Sequence, residues 1–147
     1  MVAGSIRLEF SGTPDGFRSA FEALIAELEP IVAETRVRRR VELVFEEIVA
    51  NIVRHAAPAG APAQVAVAVD VDDGGITLTF DDDGVPFDPT ALAEPVPAKT
   101  LDGAPIGGLG VGMVRRLARQ VEYRRTGESR NRLVVTLPPS GIASPVR

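Results

Sequence analysis

Polar and apolar residues alternate near the start of the chain. Ile6, Leu8 and Phe10 are separated by Arg7 and Glu9, which predicts a strand with one buried face. Thr13, Pro14 and Asp15 read as a helix start, with Thr13 as cap and Pro14 in the first turn, where a missing N–H is harmless. Phe17, Phe21, Leu24, Ile25 and Leu28 keep helical spacing up to Pro30. A second, longer helix is predicted over about 33–56, closed by the Ala- and Pro-rich stretch 57–62. Val65, Val67, Val69 and Val71 have period two, Asp72 to Gly75 supply a turn, and Ile76, Leu78 and Phe80 return as the next strand. No periodic segment is visible from Gly84 to about Gly108, and a structureless stretch of that length in a small domain is functional or disordered. Helical spacing resumes at Met113, Val114, Leu117, Ala118 and Val121, and 121–125 with 133–137 predict a closing hairpin around Gly127 and Glu128.

The predicted order, β-α-α-β-β-loop-α-β-β, places adjacent hairpins in one sheet. The fold class is therefore α+β, a two-layer sandwich with helices on one face of a mainly antiparallel sheet. No repeat is visible, so 1–138 is read as one domain and 139–147 as a flexible tail.

Composition narrows the function classes. The 147 residues are 45% apolar with a net charge of −4, as expected of a soluble globular chain. The mild acidity argues against direct nucleic-acid binding. No apolar run approaches the roughly 20 residues that cross a bilayer, and the first residues do not resemble a secretory signal. The chain has no cysteine, which excludes disulfides and thiolate metal sites and fits a cytoplasmic location. Lys99 is the one lysine among sixteen basic residues.

Three segments carry candidate chemistry. On the second helix Val37, Val41, Val44, Phe45, Ile48 and Ile52 form the apolar stripe, and Glu47 and Asn51 sit one turn apart at its edge. His55 follows one turn later, whereas Glu46 lies roughly 140° around the helix from Asn51. The pair marks either the border of the apolar face or a site. In a site, Asn51 offers a neutral oxygen to magnesium and Glu47 polarises a hydroxyl or water for attack on a γ-phosphate. Second, the alternation of Ile76, Leu78 and Phe80 carries on to put Asp82 on the inner face, with Asp81 and Asp83 pointing outward. An inward carboxylate needs a donor, and the exocyclic amine of adenine is one. Gly84 beside it lets the backbone approach a flat ring closely. Third, Gly107, Gly108, Gly110 and Gly112, with Leu109 and Val111 between them, precede the third predicted helix. Such a run is either a hinge or a set of bare amides aimed at an anion. No Gly-Lys-Ser/Thr follows and no βαβ unit surrounds it, so neither the P-loop nor the dinucleotide fingerprint applies.

Glu47-x-x-x-Asn51, Asp82-x-Gly84 and Gly108-x-Gly110-x-Gly112 before a helix, in that order, resemble the N, G1 and G2 boxes of the GHKL, or Bergerat-fold, ATPase superfamily. Within it the chain is most similar to the anti-sigma-factor serine kinases of bacterial partner-switching systems, through segments 46–55, 84–89 and 107–117. The resemblance covers nearly the whole chain. It implies ATP and magnesium as cofactors, and phosphorylation of a serine on a small anti-anti-sigma (STAS-type) partner. It further implies sequestration of a sigma factor or similar regulator, and a homodimer. Glu47 is then the base, Asn51 the metal ligand and Asp82 the adenine reader. His55, Gly84, Gly108, Leu109, Gly110, Val111 and Gly112 belong to the nucleotide site, under an ATP lid at about 84–108. Relatives often carry an arginine just before the glycine run. Here 102–106 holds no basic residue, and Lys99 is the substitute the lid offers. Two alternatives remain: a nucleotide-gated binding module with little kinase activity, and a detached histidine-kinase-type ATPase domain. Against the second, His55 is the single histidine and no segment is left for a dimerising helix pair.

Overall fold

The computed structural model describes residues 3–57, 60–91, 108–127 and 129–139. Lys99, Gly107, most of the expected lid and the tail beyond 139 lie outside them. Five strands, β1 (Gly4–Ser11), β2 (Gln64–Asp72), β3 (Gly75–Asp82), β4 (Gln120–Thr126) and β5 (Arg130–Leu137), form one sheet in the order β1-β2-β3-β5-β4. Every neighbouring pair is antiparallel. Three helices, α1 (Pro14–Leu28), α2 (Thr35–His55) and α3 (Gly108–Leu117), complete the fold, with a short 3-10 turn at Pro89–Ala91. The α+β expectation holds, and the bounds of α1, α2 and the strands follow the periodicity closely, whereas the third helix ends at Leu117 and Val121, expected on it, lies in β4.

Local chemistry explains the boundaries. Thr13 caps α1 by accepting a hydrogen bond from the Gly16 amide at 3.0 Å, with Pro14 at the first helical position. Arg54 and His55 occupy the last turn of α2, where cations suit the helix dipole. Gly75 turns the chain from β2 into β3 at φ 137°, in the region that favours glycine.

The core lies between sheet and helices. Val65, Val67, Val69 and Val71 of β2 and Ile76, Leu78 and Phe80 of β3 present buried side chains to Val41, Val44, Phe45 and Ile48 of α2. Phe45 is the hub: its ring centroid lies within 6.0 Å of Phe10, Phe17 and Phe21 and 6.4 Å from Phe80. This packing makes α2 the central helix, so whatever its edge carries is held rigidly against the sheet. No helix among the described residues is long and apolar enough to cross a membrane.

The third helix starts earlier than its periodicity predicts. Gly108, Leu109, Gly110, Val111 and Gly112 do not precede α3 but form its first turn. Glycine weakens a helix interior by roughly 1 kcal/mol relative to alanine, which masks such a start in the sequence. Tertiary packing overrides it: Val114 is buried against the core, and Arg115 donates to the Thr90 carbonyl, tying α3 to the 3-10 turn.

Candidate active site

Helix α2 carries two polar side chains into different surroundings. Asn51 is fully buried, at 0% exposure. Its Nδ2 donates to the Glu47 carbonyl one turn back at 3.0 Å. Its Oδ1 is buried with no hydrogen-bond partner among the described residues. An unpaired buried acceptor costs about 1–3 kcal/mol, so this oxygen calls for a donor or a cation. Glu47 is half-buried and opens instead on a cavity of about 450 Å³ between the start of α1 (Thr13, Pro14, Phe17) and the outer side of α2 (Glu46, Arg54). Burial is the main cause that raises the Glu47 carboxyl above its ordinary range. Glu46 adds to the rise and Arg54 opposes it. Glu46, expected to point away from Asn51, shares the Glu47 cavity.

Asp82 is inward-facing, as the alternation predicts, and is 3% exposed. Its Oδ1 accepts from the Gly84 amide at 2.8 Å and from Asn131 Nδ2 at 2.9 Å. Both bonds fall on one oxygen. Oδ2 has no hydrogen bond among the described residues. Burial raises the Asp82 pKa most. The Asn131 and Gly84 bonds counter that rise, the Asp83 charge adds to it and the Arg125 charge lowers it. The neighbouring aspartates behave as outward residues: Asp81 pairs with Arg132 at 2.7 Å, and Asp83 accepts from the Gln64 amide at 2.7 Å.

Gly84 follows from steric necessity. A Cβ there would lie 1.9 Å from the Ala56 carbonyl oxygen, because the chain after β3 presses on the end of α2. The Val85 amide donates to that same carbonyl at 2.9 Å. His55 is exposed and stacks on Phe87, ring centroids 4.7 Å apart. The recess beside Asp82, walled by Ile48, Ile52, Phe87, Pro89 and Tyr123, holds about 10 Å³. That is room for about one water.

At the start of α3 the amides of Gly108 through Val111 are the four that lack intrahelical acceptors. They form a donor set suited to phosphate oxygens. Lys99 and Gly107 lie outside the described residues.

The sequence model of the histidine kinase-like ATPase domain matches residues 10–137, nearly the whole chain. The chain belongs to the histidine-kinase-like ATPase family. It is also 32% identical, over 90 residues, to the serine/threonine-protein kinase BtrW of Bordetella bronchiseptica, a match covering 61% of this chain and 63% of that kinase. In this histidine-kinase-like ATPase two side-chain oxygens suit the ligands expected of the family. The orphan Asn51 Oδ1 fits a magnesium ligand, since that ion commonly takes only one or two protein oxygens. Oδ2 of Asp82, without a hydrogen bond among the described residues, fits a purine amine.

One residue of the site is absent from the sequence reading. Asn131, on β5, is 3% exposed and bonds Asp82 directly. The sequence signal was present but faint: Asn131 stands two residues before Leu133, on the inward register of a strand, where a polar residue needs a partner.

Proposed function

We propose that this histidine-kinase-like ATPase is a magnesium-dependent protein-serine kinase that transfers the γ-phosphoryl group of ATP to a small STAS-type anti-anti-sigma partner. In the same reading it sequesters a sigma factor or similar regulator, acts as a cytoplasmic homodimer, and contacts neither nucleic acid nor membrane. The observation that carries the catalytic part is the buried Oδ1 of Asn51, which has no hydrogen-bond partner among the described residues, one helical turn from a carboxylate of raised pKa. The similarity to a protein named as a serine/threonine kinase supports the acceptor class.

The geometry supports a role for each residue. Asn51 Oδ1 would hold the magnesium ion, which when bound offsets negative charge on the phosphates. Asp82 Oδ2 accepts from the adenine amine, and the α3 amides bind phosphate oxygens. Glu47 takes the proton of the serine hydroxyl as its oxygen bonds to the γ-phosphorus and ADP leaves. A carboxylate raised toward neutral pH suits that work better than an ordinary one. The open cavity beside Glu47 gives an acceptor side chain access to it.

The test is incubation of the full chain with magnesium ATP and a STAS-type partner, read by mass spectrometry for phosphoserine. Stoichiometric phosphoserine that disappears in Glu47→Ala supports the kinase. ATP binding without any transfer supports the second reading, a nucleotide-gated binding module. The absence of a basic residue from 102–106 favours that alternative.

A further inference from the structure

Asp82, Asn131 and Arg125 stand in one row across three strands, Asp82 opposite Asn131 and Asn131 opposite Arg125 in register. Resting on the nucleotide reading above, we infer that Asn131 is a positioning residue that fixes the orientation in which the Asp82 carboxylate is presented to the base. It thereby makes the site selective for a 6-aminopurine over a 6-oxopurine.

The argument starts from the five bonds of one amide. Nδ2 donates to Asp82 Oδ1 at 2.9 Å and to the Val85 carbonyl at 2.8 Å. Oδ1 accepts from the Tyr123 hydroxyl at 2.5 Å, from Arg125 Nη1 at 3.0 Å and from the Phe87 amide at 3.4 Å. Donors surround one end and acceptors the other, so the amide has a single allowed orientation. Arg125 Nη1 also donates to the Gly84 carbonyl at 2.9 Å, bracing the same loop from its other side. The consequence for Asp82 is directional. With the Gly84 amide and Asn131 Nδ2 both on Oδ1, the carboxylate cannot rotate without losing both bonds. Among the described residues nothing shares Oδ2, which is left as an acceptor of fixed direction. A fixed acceptor pairs with an amine hydrogen and repels a carbonyl oxygen, so amine-bearing and oxo-bearing purines are separated.

The assay is calorimetric affinity of the full chain for Mg-ATP and for Mg-inosine triphosphate, which replaces the amine by an oxo group. Wild type is expected to favour ATP by roughly 100-fold or more, because a site with a committed polar group rejects the mismatched analogue strongly. Asn131→Asp keeps the shape and the acceptors for Tyr123 and Arg125 but removes the donor to Asp82. The two facing carboxylates then repel, in the field of Arg125, Asp83 and Tyr123, so the Asp82 carboxylate is no longer held in one orientation and its discrimination against an oxo group weakens. The ATP preference is expected to shrink by about tenfold or more, the worth of a charged hydrogen bond. A purely structural asparagine would weaken both ligands by the same factor. Equal losses, or no loss, overturn the inference while leaving the nucleotide site intact. If wild type binds neither triphosphate, the site reading itself fails and the inference falls with it. Should Asn131→Asp fail to melt cooperatively, the double variant Tyr123→Phe, Arg125→Gln decides. Removing the donors that orient the amide should also narrow the preference, and an unchanged ratio overturns the inference.

Discussion

Gly84→Ala isolates the contact between the loop after β3 and the end of α2. The new Cβ would sit 1.9 Å from the Ala56 oxygen and 2.7 Å from its carbonyl carbon, both backbone atoms that no rotamer change can move. The loop must therefore lift. Lifting breaks the Val85 amide bond to Ala56 (2.9 Å) and the Gly84 amide bond to the Asp82 carboxylate (2.8 Å). A neutral bond contributes about 0.5–1.5 kcal/mol and one to a charged group about 1.5–3 kcal/mol, so the loss is about 2–4 kcal/mol. Opposing it, alanine restricts the unfolded chain and stabilises by about 0.4–1 kcal/mol where the backbone conformation is ordinary. Gly84 qualifies, since its φ lies outside the left-handed region. The steric term wins, with a net loss of about 1–3 kcal/mol. For a chain of 147 residues this lowers Tm by roughly 3–10 °C in a thermal melt followed by circular dichroism. ATP affinity, measured alongside, falls because Asp82 is released. An unchanged Tm would refute the account, because the loop could not then be seated on Ala56.

Three further outcomes follow from the same geometry. Asn51→Ala should abolish the magnesium-dependent part of nucleotide affinity, and equal calorimetric affinity with and without the substitution would remove Asn51 from the metal site. Glu47→Ala should spare ATP binding and eliminate transfer. In wild type the transfer rate should rise with pH through a midpoint above the ordinary glutamate range, because burial raises the Glu47 pKa and only the deprotonated form accepts a proton. A flat pH-rate profile argues against that role. Asp82→Asn should weaken ATP binding by about tenfold or more yet leave Tm equal or higher. The folded-state pKa of Asp82 is raised, so its ionisation opposes folding. Its contribution is most favourable below the ordinary aspartate pKa and is lost as pH rises through the raised folded value. A melting series across that window should be flatter in the variant, and a variant with lower Tm at pH 7 would contradict the cause assigned to the shift.

Much of the molecule is written in local periodicity. The period of two over Val65 to Val71 and Ile76 to Phe80, the helical stripe from Val37 to Ile52 and the Thr13-Pro14 cap determine the elements. Each depends only on residues a few positions apart. The inward aim of Asp82 follows from the same alternation, and the place of Asn51 one turn after Glu47 follows from helical pitch. Tertiary structure alone decided the rest. The amide that holds Asp82 comes from Asn131, 49 residues further on, through the register of β3 against β5. The separate surroundings of Glu47 and Asn51 arise because α1 packs on one side of α2 and the core on the other. The glycine at position 84 owes its necessity to the Ala56 carbonyl, which only the folded chain brings within reach. Periodicity specifies which way a side chain points, but what it meets there is set by chain closure over distances that no local pattern encodes.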